Sequence, residues 1–328
     1  MKLEKPLLAP LLGVLAGAGY ALCARWIFDG QPAPWLGTTF AALSVAFLFL
    51  VPVGLGAVTV YFGSQHTQRS WLFWIVMPWV SCTLLTAALA ALAWEGLICI
   101  VMAAPIFLAM GSLGGLATGV LLGRRKAGTA PPVVAGLAIL PLVVFPLEQR
   151  LPPPDEERTV STSVVIDAGR EAVWRQIVRV PEIEARELPA SFFHRIGIPQ
   201  PREATLDRDG VGGVREASFR GGLRFHETIT EWEPERTLGF TIRVAPESIS
   251  EAVLDPHVRV GSAHFDVLYG RFRIEPAGGG RVRLHLLSRH RLSTLFNGYA
   301  GLWTEAVMRD IQAGISEVVK RRCEGGTP

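Results

Sequence analysis

Charge is what the first half of this sequence lacks. Between Leu7 and Leu147 the acids and bases are Arg25, Asp29, His66, Arg69, Glu95 and the run Arg124-Arg125-Lys126. A chain of intramembrane acids, histidines or lysines, which a proton-driven pump or carrier needs, is missing. Cysteine is scarce too. Cys23, Cys82 and Cys99 lie in apolar runs and Cys323 stands alone. With no CxxC spacing, a disulfide framework and a cysteine-built metal site are both excluded, leaving inert buried thiols. The net charge is only +3, with bases and acids interleaved, so there is no concentrated basic face for nucleic acid. No glycine-rich phosphate loop joins a strand to a helix, no Ser-His-Asp or Cys-His nucleophile stands out, and the histidines lack metal-ligand spacing. The sequence therefore predicts no cofactor and no metal.

What is present falls into two populations that meet near residue 150. A spanning helix needs about 20 mostly apolar residues, and Pro6–Phe28 and Leu36–Tyr61 each satisfy this. Lys2 and Lys5 ahead of the first run imitate a signal peptide, but Leu22 stands where a lipoprotein cleavage site wants a small residue before Cys23. Further spans follow, so a first transmembrane helix is the better reading. Trp71–Gly123 is too long for one span and is read as two helices turning at Glu95-Gly96. Pro131–Leu147, with Pro141 and Pro146, is a fifth helix or a re-entrant segment.

Lys2, Lys5, Arg69 and Arg124-Arg125-Lys126 fall at one side if there are five spans. Positive-inside then places the N-terminus in the cytoplasm and the following domain outside, in the periplasm for a protein of a bacterial inner membrane. Arg25 dissents, and a fifth run that fails to cross would make the domain cytoplasmic. Glu95 is read as a hydrated interfacial carboxylate, or one that meets lipid headgroups or docks the soluble domain. Gly111, Gly115, Gly119 and Gly123 share a helix face. They serve packing within the bundle or, alternatively, a homodimer seam. Trp35, Trp71, Trp74 and Trp94 sit near span ends, as an aromatic belt does.

Glu148–Arg158 (EQRLPPPDEER) reads as a semi-rigid polyproline spacer. Thr159–Ala168 then alternates as a half-buried strand. Gly169–Glu184 and Glu187–Ile196 read as short helices. Glycine-marked turns separate strand-like runs at Arg202–Asp207, Val214–Arg220, Leu223–Trp232, Leu238–Ala245, Ser262–Glu275 and Arg281–Leu292. A long helix from about Asn297 to Arg322 closes the chain, with Val307, Ile311, Ile315 and Val318 at helical spacing. This order is α+β: a curved antiparallel sheet gripping the last helix. The predicted domains are thus residues 1–147, a linker 148–158, a soluble domain 159–323 and a tail 324–328.

Three stretches carry a family likeness: Val164-Val165-Ile166-Asp167-Ala168 leading into Glu171-Ala172-Val173-Trp174, Glu231-Trp232-Glu233-Pro234-Glu235-Arg236, and Tyr299-Ala300-Gly301-Leu302-Trp303 through Asp310-Ile311-Gln312 to Val319-Lys320-Arg321-Arg322. Over Thr159–Cys323 the chain resembles the helix-grip (SRPBCC) superfamily of START lipid-transfer domains, pollen-allergen-like proteins and polyketide cyclases. The resemblance implies a fold more than a chemistry, and the absence of Rieske-type cysteines excludes its hydroxylase branch.

Strand alternation nominates a lining for the expected cavity. Phe225, Glu227 and Ile229 share a face. His264, Asp266 and Leu268 share parity with Phe272 and Ile274, unless a bulge at Tyr269-Gly270 reverses them. His290 follows Val282, Leu284 and Leu286 inward. The predicted pocket is bounded by Phe225, Phe240, Phe272, Leu284, Trp303, Val307 and Ile311. Glu227, His264, Asp266 and His290 are its polar groups, or else rim residues hydrogen-bonded at the sheet edge. Such a lining suits an amphiphile with one polar head, so the leading expectation is a membrane-anchored protein that binds or transfers a lipid or other hydrophobic small molecule. A cyclase- or aromatase-like enzyme using His264 and Asp266 is the alternative, and a membrane-anchored sensing or protein-interaction module is a third.

Overall fold

The computed structural model describes residues 5–28, 44–64, 70–92, 94–124, 130–245, 248 and 260–325. The chain divides into two compact units, Met1–Pro153 and Pro154–Pro328.

The first unit is helical: α1 (Lys5–Phe28), α2 (Val51–Gly63, entered through a π-helical turn at Ala46–Leu50), α3 (Trp71–Ala91), α4 (Leu97–Arg124) and α5 (Ala130–Glu148). Four of the helical segments are long and apolar enough to cross a membrane, and Pro132–Glu148 is a shorter apolar helix. The first eight residues of the expected span Leu36–Tyr61, together with Trp35 and Arg69, lie outside the described residues. Without a hydrophobic drive between helices in lipid, close approach of backbones and a few polar contacts hold such a bundle. A Cβ on Gly56 would overlap the Gly111 carbonyl, and one on Gly114 would overlap that of Val53, so α2 and α4 meet backbone to backbone. Thr59 and Ser81 hydroxyls bond at 2.8 Å between α2 and α3, Trp79 Nε1 donates to Ser112 Oγ at 2.8 Å between α3 and α4, and Tyr20 donates to the Ala138 carbonyl at 2.8 Å between α1 and α5.

Several expectations for this unit are revised. Gly111 and Gly115 face Pro78, and Gly119 lies under the Trp74 ring. The chain's own α2 and α3 therefore fill this face at Gly111, Gly115 and Gly119, the packing within the bundle that was one of its two readings; among the described residues nothing lies within 4 Å of a Cβ at Gly123. Trp74 thus points into the bundle, whereas Trp71 and Trp94 are exposed at helix ends. Glu95 is not simply hydrated: it pairs with Arg25 at 2.5 Å, and the two side chains are 10% and 4% exposed. Arg25, the dissenter from the charge rule, is neutralised where it stands. Glu148, assigned by sequence to the spacer, ends α5 and accepts the Val45 and Ala46 amides at 2.6 and 2.9 Å. A buried carboxylate there satisfies two of the donors that open every helix.

The second unit has β1 (Asp155–Ile166), α6 (Arg170–Val178), α7 (Phe192–Arg195), β2 (Pro201–Leu206), β3 (Val214–Phe219), β4 (Arg224–Glu233), β5 (Thr237–Val244), β6 (Phe265–Gly278), β7 (Arg281–Ser293) and α8 (Asn297–Cys323). Seven strands form one antiparallel curled sheet in the order β1-β7-β6-β5-β4-β3-β2. This is the predicted architecture: strand, two short helices, six strands, and a long helix packed on the sheet. β1 begins at Asp155, pairing with Ser293, so the last four residues of the expected spacer belong to the sheet. The β6–β7 hairpin turns through Gly278, Gly279 and Gly280 at φ 80°, 64° and 79°, a run that only glycine adopts without strain.

The core beneath α8 is uneven. Its C-terminal half and α6 cover a dense cluster that includes Ile166, Val173, Ile177, Ile229, Leu238, Phe240, Phe272, Leu284 and Val319. Toward the N-terminal half of α8 the buried cluster among the described residues is Val160, Val267 and Met308, with Ile242, Val260 and Phe265 half-buried around it.

Candidate functional site

Which face of α8 meets the sheet decides where a site lies. Gln312 is 1% exposed. Its Nε2 donates to the Val160 carbonyl at 3.1 Å and to Ser288 Oγ at 2.9 Å, and its Oε1 accepts from Thr162 Oγ1 at 3.0 Å. Met308 packs on Val160 and Val267, and Thr304 meets His290. The stripe Thr304-Met308-Gln312-Ser316, spaced by four, therefore lies on β1 and β7. A second line of contact runs along Asp310, bonded to Ser191, Gly314, beside Leu188, and Val318, packed with Leu188 and Phe225. At about 3.6 residues per turn, Val307 and Ile311 fall between these two lines, and both are half-buried. Trp303 continues the same side toward the helix start and is also half-buried. Ile242, Val244, Val260 and Phe265 are the half-buried apolar groups on the sheet side.

The predicted lining is divided by this geometry. Trp303, Val307 and Ile311 are half-buried. Phe240, Phe272 and Leu284, at 3%, 3% and 0% exposure, are instead locked into the dense cluster, because α6 supplies Val173 and Ile177 as filler there. Phe225 belongs to a neighbouring cluster with Val318 and stacks edge-on with Phe219 at 5.3 Å.

The polar candidates separate as well. The bulge that conditioned their parity exists, but at Leu268: Val267 opposes His290 and Tyr269 opposes Arg289. One extra residue exchanges the faces, so Phe265 and Val267 turn toward α8 while Asp266 pairs in register with Arg291 on the opposite face. Burial pushes the Asp266 carboxyl upward, opposed by the Val267 amide, Arg291 and the Gly261 amide. The ring Nδ1 of His264 lies 3.1 Å from the Ser293 carbonyl. The His264–Asp266 pair is thus not aimed at the concave face.

Glu227 does face inward, but as half of a buried ion pair with Arg215, its register partner on β3. Arg215 also donates Nε to the Val178 carbonyl at 3.3 Å and sits 5.5 Å from the Phe240 ring centre. Burial raises the Glu227 carboxyl above its ordinary value, and the Arg215 charge and hydrogen bond pull it back. His290 faces α8, 0% exposed, with Phe265 tilted against it at 5.7 Å.

Sequence reasoning missed Arg215, Arg158, Ser288, Thr304 and Gln312. Strand parity contains the signal for Arg215, which alternates inward with Ala217 and Phe219. The spacing of four contains it for Thr304 and Gln312. Among the described residues no three His, Cys, Asp or Glu side chains converge as metal ligands.

Fold and site together define a helix-grip domain that follows a bundle of membrane-length apolar helices. The sequence matches no known family profile and no curated protein. Solved structures similar to it include a truncated norcoclaurine synthase from Thalictrum flavum, at 15% identity over 50% of this chain and 94% of that one, TM-score 0.31. The Aha1 dimer from Colwellia psychrerythraea is similar at 12% identity over 52% and 99%, TM-score 0.29. A conserved protein of unknown function from Enterococcus faecalis is similar at 13% identity over 53% and 79%, TM-score 0.30.

Proposed function

We propose that this protein is a membrane-anchored binding or transfer protein for a lipid or other hydrophobic small molecule, held between the N-terminal half of α8 and the middle strands of the sheet. One observation carries the reading. Trp303, Val307 and Ile311 on the helix, and Ile242, Val244, Val260 and Phe265 on the sheet, are apolar yet only half-buried, while the other end of the same layer is tightly packed. Burying an acyl chain against such surfaces contributes about 0.8 kcal/mol per CH₂ before ordering costs, and no covalent step is required.

The membrane sidedness in this reading places the N-terminus in the cytoplasm and the helix-grip domain outside. Its support is that α5 ends at Glu148 beside the start of α2, at the end of the bundle that also holds Arg25 and Glu95. Lys5 opens α1 at the other end, where Pro10 approaches Gly63. A membrane-impermeant maleimide should label Glu157→Cys from outside intact bacterial cells; labelling only after lysis would reverse the orientation.

Native mass spectrometry of the intact protein, with organic extraction of whatever it carries, tests the binding reading. The expected result is a defined apolar molecule at fixed stoichiometry that Val307→Trp displaces. Occupancy unchanged by Val307→Trp would assign the bound molecules to the helical bundle and remove the proposal.

A further inference from the structure

The corner where β1, β7 and the start of α8 meet contains two polar atoms with no partner among the described residues, and their chemistry is complementary. His290 Nε2 lies 3.2 Å from Thr304 Oγ1. The Thr304 hydroxyl has one proton, which it donates to the Gly301 carbonyl at 3.2 Å. We therefore assign Thr304 as the acceptor from His290, which puts the ring hydrogen on Nε2 and leaves Nδ1 a bare lone pair. That Nδ1 is buried without a hydrogen-bond partner.

Directly across the ladder stands Arg158. Its Nη1 and Nη2 are bound by Glu305 at 2.9 Å and Glu156 at 2.8 Å, while its Nε–H is buried and unpartnered. The guanidinium lies against α8 at Gly301, where a Cβ would overlap it. An orphaned acceptor and an orphaned donor thus occupy paired positions. A buried polar group without a partner is unfavourable by about 1–3 kcal/mol, and native proteins leave few of them.

Charge narrows the chemistry. Two carboxylates balance Arg158, and burial, with the neighbouring arginine, holds the His290 imidazole below its ordinary value against the pull of Glu305. No uncompensated positive charge remains to select a phosphate or a carboxylate. The surroundings are Phe265, Val160, Val267 and Met308.

We propose that this corner receives the hydroxyl of a neutral, otherwise apolar molecule, an aliphatic alcohol or a phenol, which donates to His290 Nδ1 and accepts from Arg158 Nε. This rests on the apolar binding reading above and adds the head group to it.

The intact protein in lipid nanodiscs is dialysed against 1-naphthol and against 1-methoxynaphthalene, which lacks the donor, with empty discs subtracted. Wild type should bind 1-naphthol about tenfold more tightly, the consequence of one buried hydrogen bond left unmade. His290→Phe should erase that preference while retaining 1-methoxynaphthalene within about twofold. Equal binding of both probes to wild type overturns the hydroxyl proposal and leaves the apolar site standing. Binding of neither above empty discs overturns both. Should His290→Phe fail to fold, side-chain ¹⁵N spectra of wild type decide: the His290 Nδ1 resonance must move with 1-naphthol and stay with 1-methoxynaphthalene, and a resonance that ignores both refutes the assignment.

Discussion

Replacing Gln312 with leucine tests the claim that α8 is seated on the sheet by polar contacts rather than by an apolar stripe. Gln312→Leu keeps the volume roughly constant and removes three hydrogen bonds, to Val160, Ser288 and Thr162. At about 0.5–1.5 kcal/mol net for each, the loss is about 3 kcal/mol. The larger part comes from stranding the hydroxyls of Ser288 and Thr162, so the triple variant Gln312→Leu with Ser288→Ala and Thr162→Val should recover to within about 1 kcal/mol of wild type. Urea unfolding of the nanodisc-bound protein, followed by the fluorescence of Trp174, Trp232 and Trp303 in a chain whose other tryptophans are replaced by phenylalanine, reads the helix-grip domain. With a slope of about 2 kcal/mol per molar urea, the midpoint should fall by about 1.5 M in the single variant. A fall of under about 0.5 M, or a triple variant no better than the single one, would refute the reasoning and return the seating of α8 to its apolar neighbours.

Arg215→Met should destabilise the same domain by about 3–5 kcal/mol by leaving Glu227 buried without its partner, whereas Arg215→Met with Glu227→Leu should fall within about 1 kcal/mol of wild type; urea midpoints distinguish the two. Glu95→Gln removes the charged partner of Arg25 and should lower the thermal midpoint of the detergent-solubilised protein, with Arg25→Gln in the same chain restoring most of it; no loss in the single variant would show the pair to be dispensable. Glu187 is held below the ordinary carboxyl value of 4.5 first by its hydrogen bond to Arg322, with help from the Glu184 amide and nearby charge against the opposing effect of burial. A depressed acid stabilises the fold above its unfolded value and loses that contribution as pH falls through the folded one. Arg322→Gln should therefore flatten the stability–pH curve below about pH 4.5 and lower the plateau above it, as urea titrations at several pH values would show.

The succession of elements was legible because it rests on local chemistry. Period-two alternation and glycine turns give every strand of the sheet to within a few residues, and apolar runs about 20 residues long give the helices. The contacts that lock the first unit were not legible. Glu148 follows an apolar run and precedes three prolines, so it reads as spacer, yet it closes back on Val45 across a hundred residues of chain. Arg25 and Glu95 each look like an anomaly in isolation, and only their meeting at 2.5 Å explains either.

The candidate site was half legible for two geometric reasons, and each displaced the reading by a single residue. Val267 and Leu268 are both apolar, so no change of polarity marks the bulge between them, and one unmarked residue carries His264 and Asp266 to the other face. On α8 the apolar spacing selects Val307, Ile311, Ile315 and Val318. At Val307 and Ile311 the sheet instead receives the residues one position on, Met308 and Gln312, a rotation of about 100°, whereas Ile315 and Val318 do pack into the core. Hydropathy counts Gln312 as a solvent residue because it cannot register the three partners waiting on β1 and β7. That rotation has a functional corollary. A helix seated by its most apolar stripe would have spent Val307 and Ile311 on the sheet and closed the layer along its whole length. Seated by Gln312, it leaves them only half-covered. The polar stripe and the incompletely buried apolar one are therefore one feature of the sequence, and in the binding reading proposed above the first keeps the second available for a ligand.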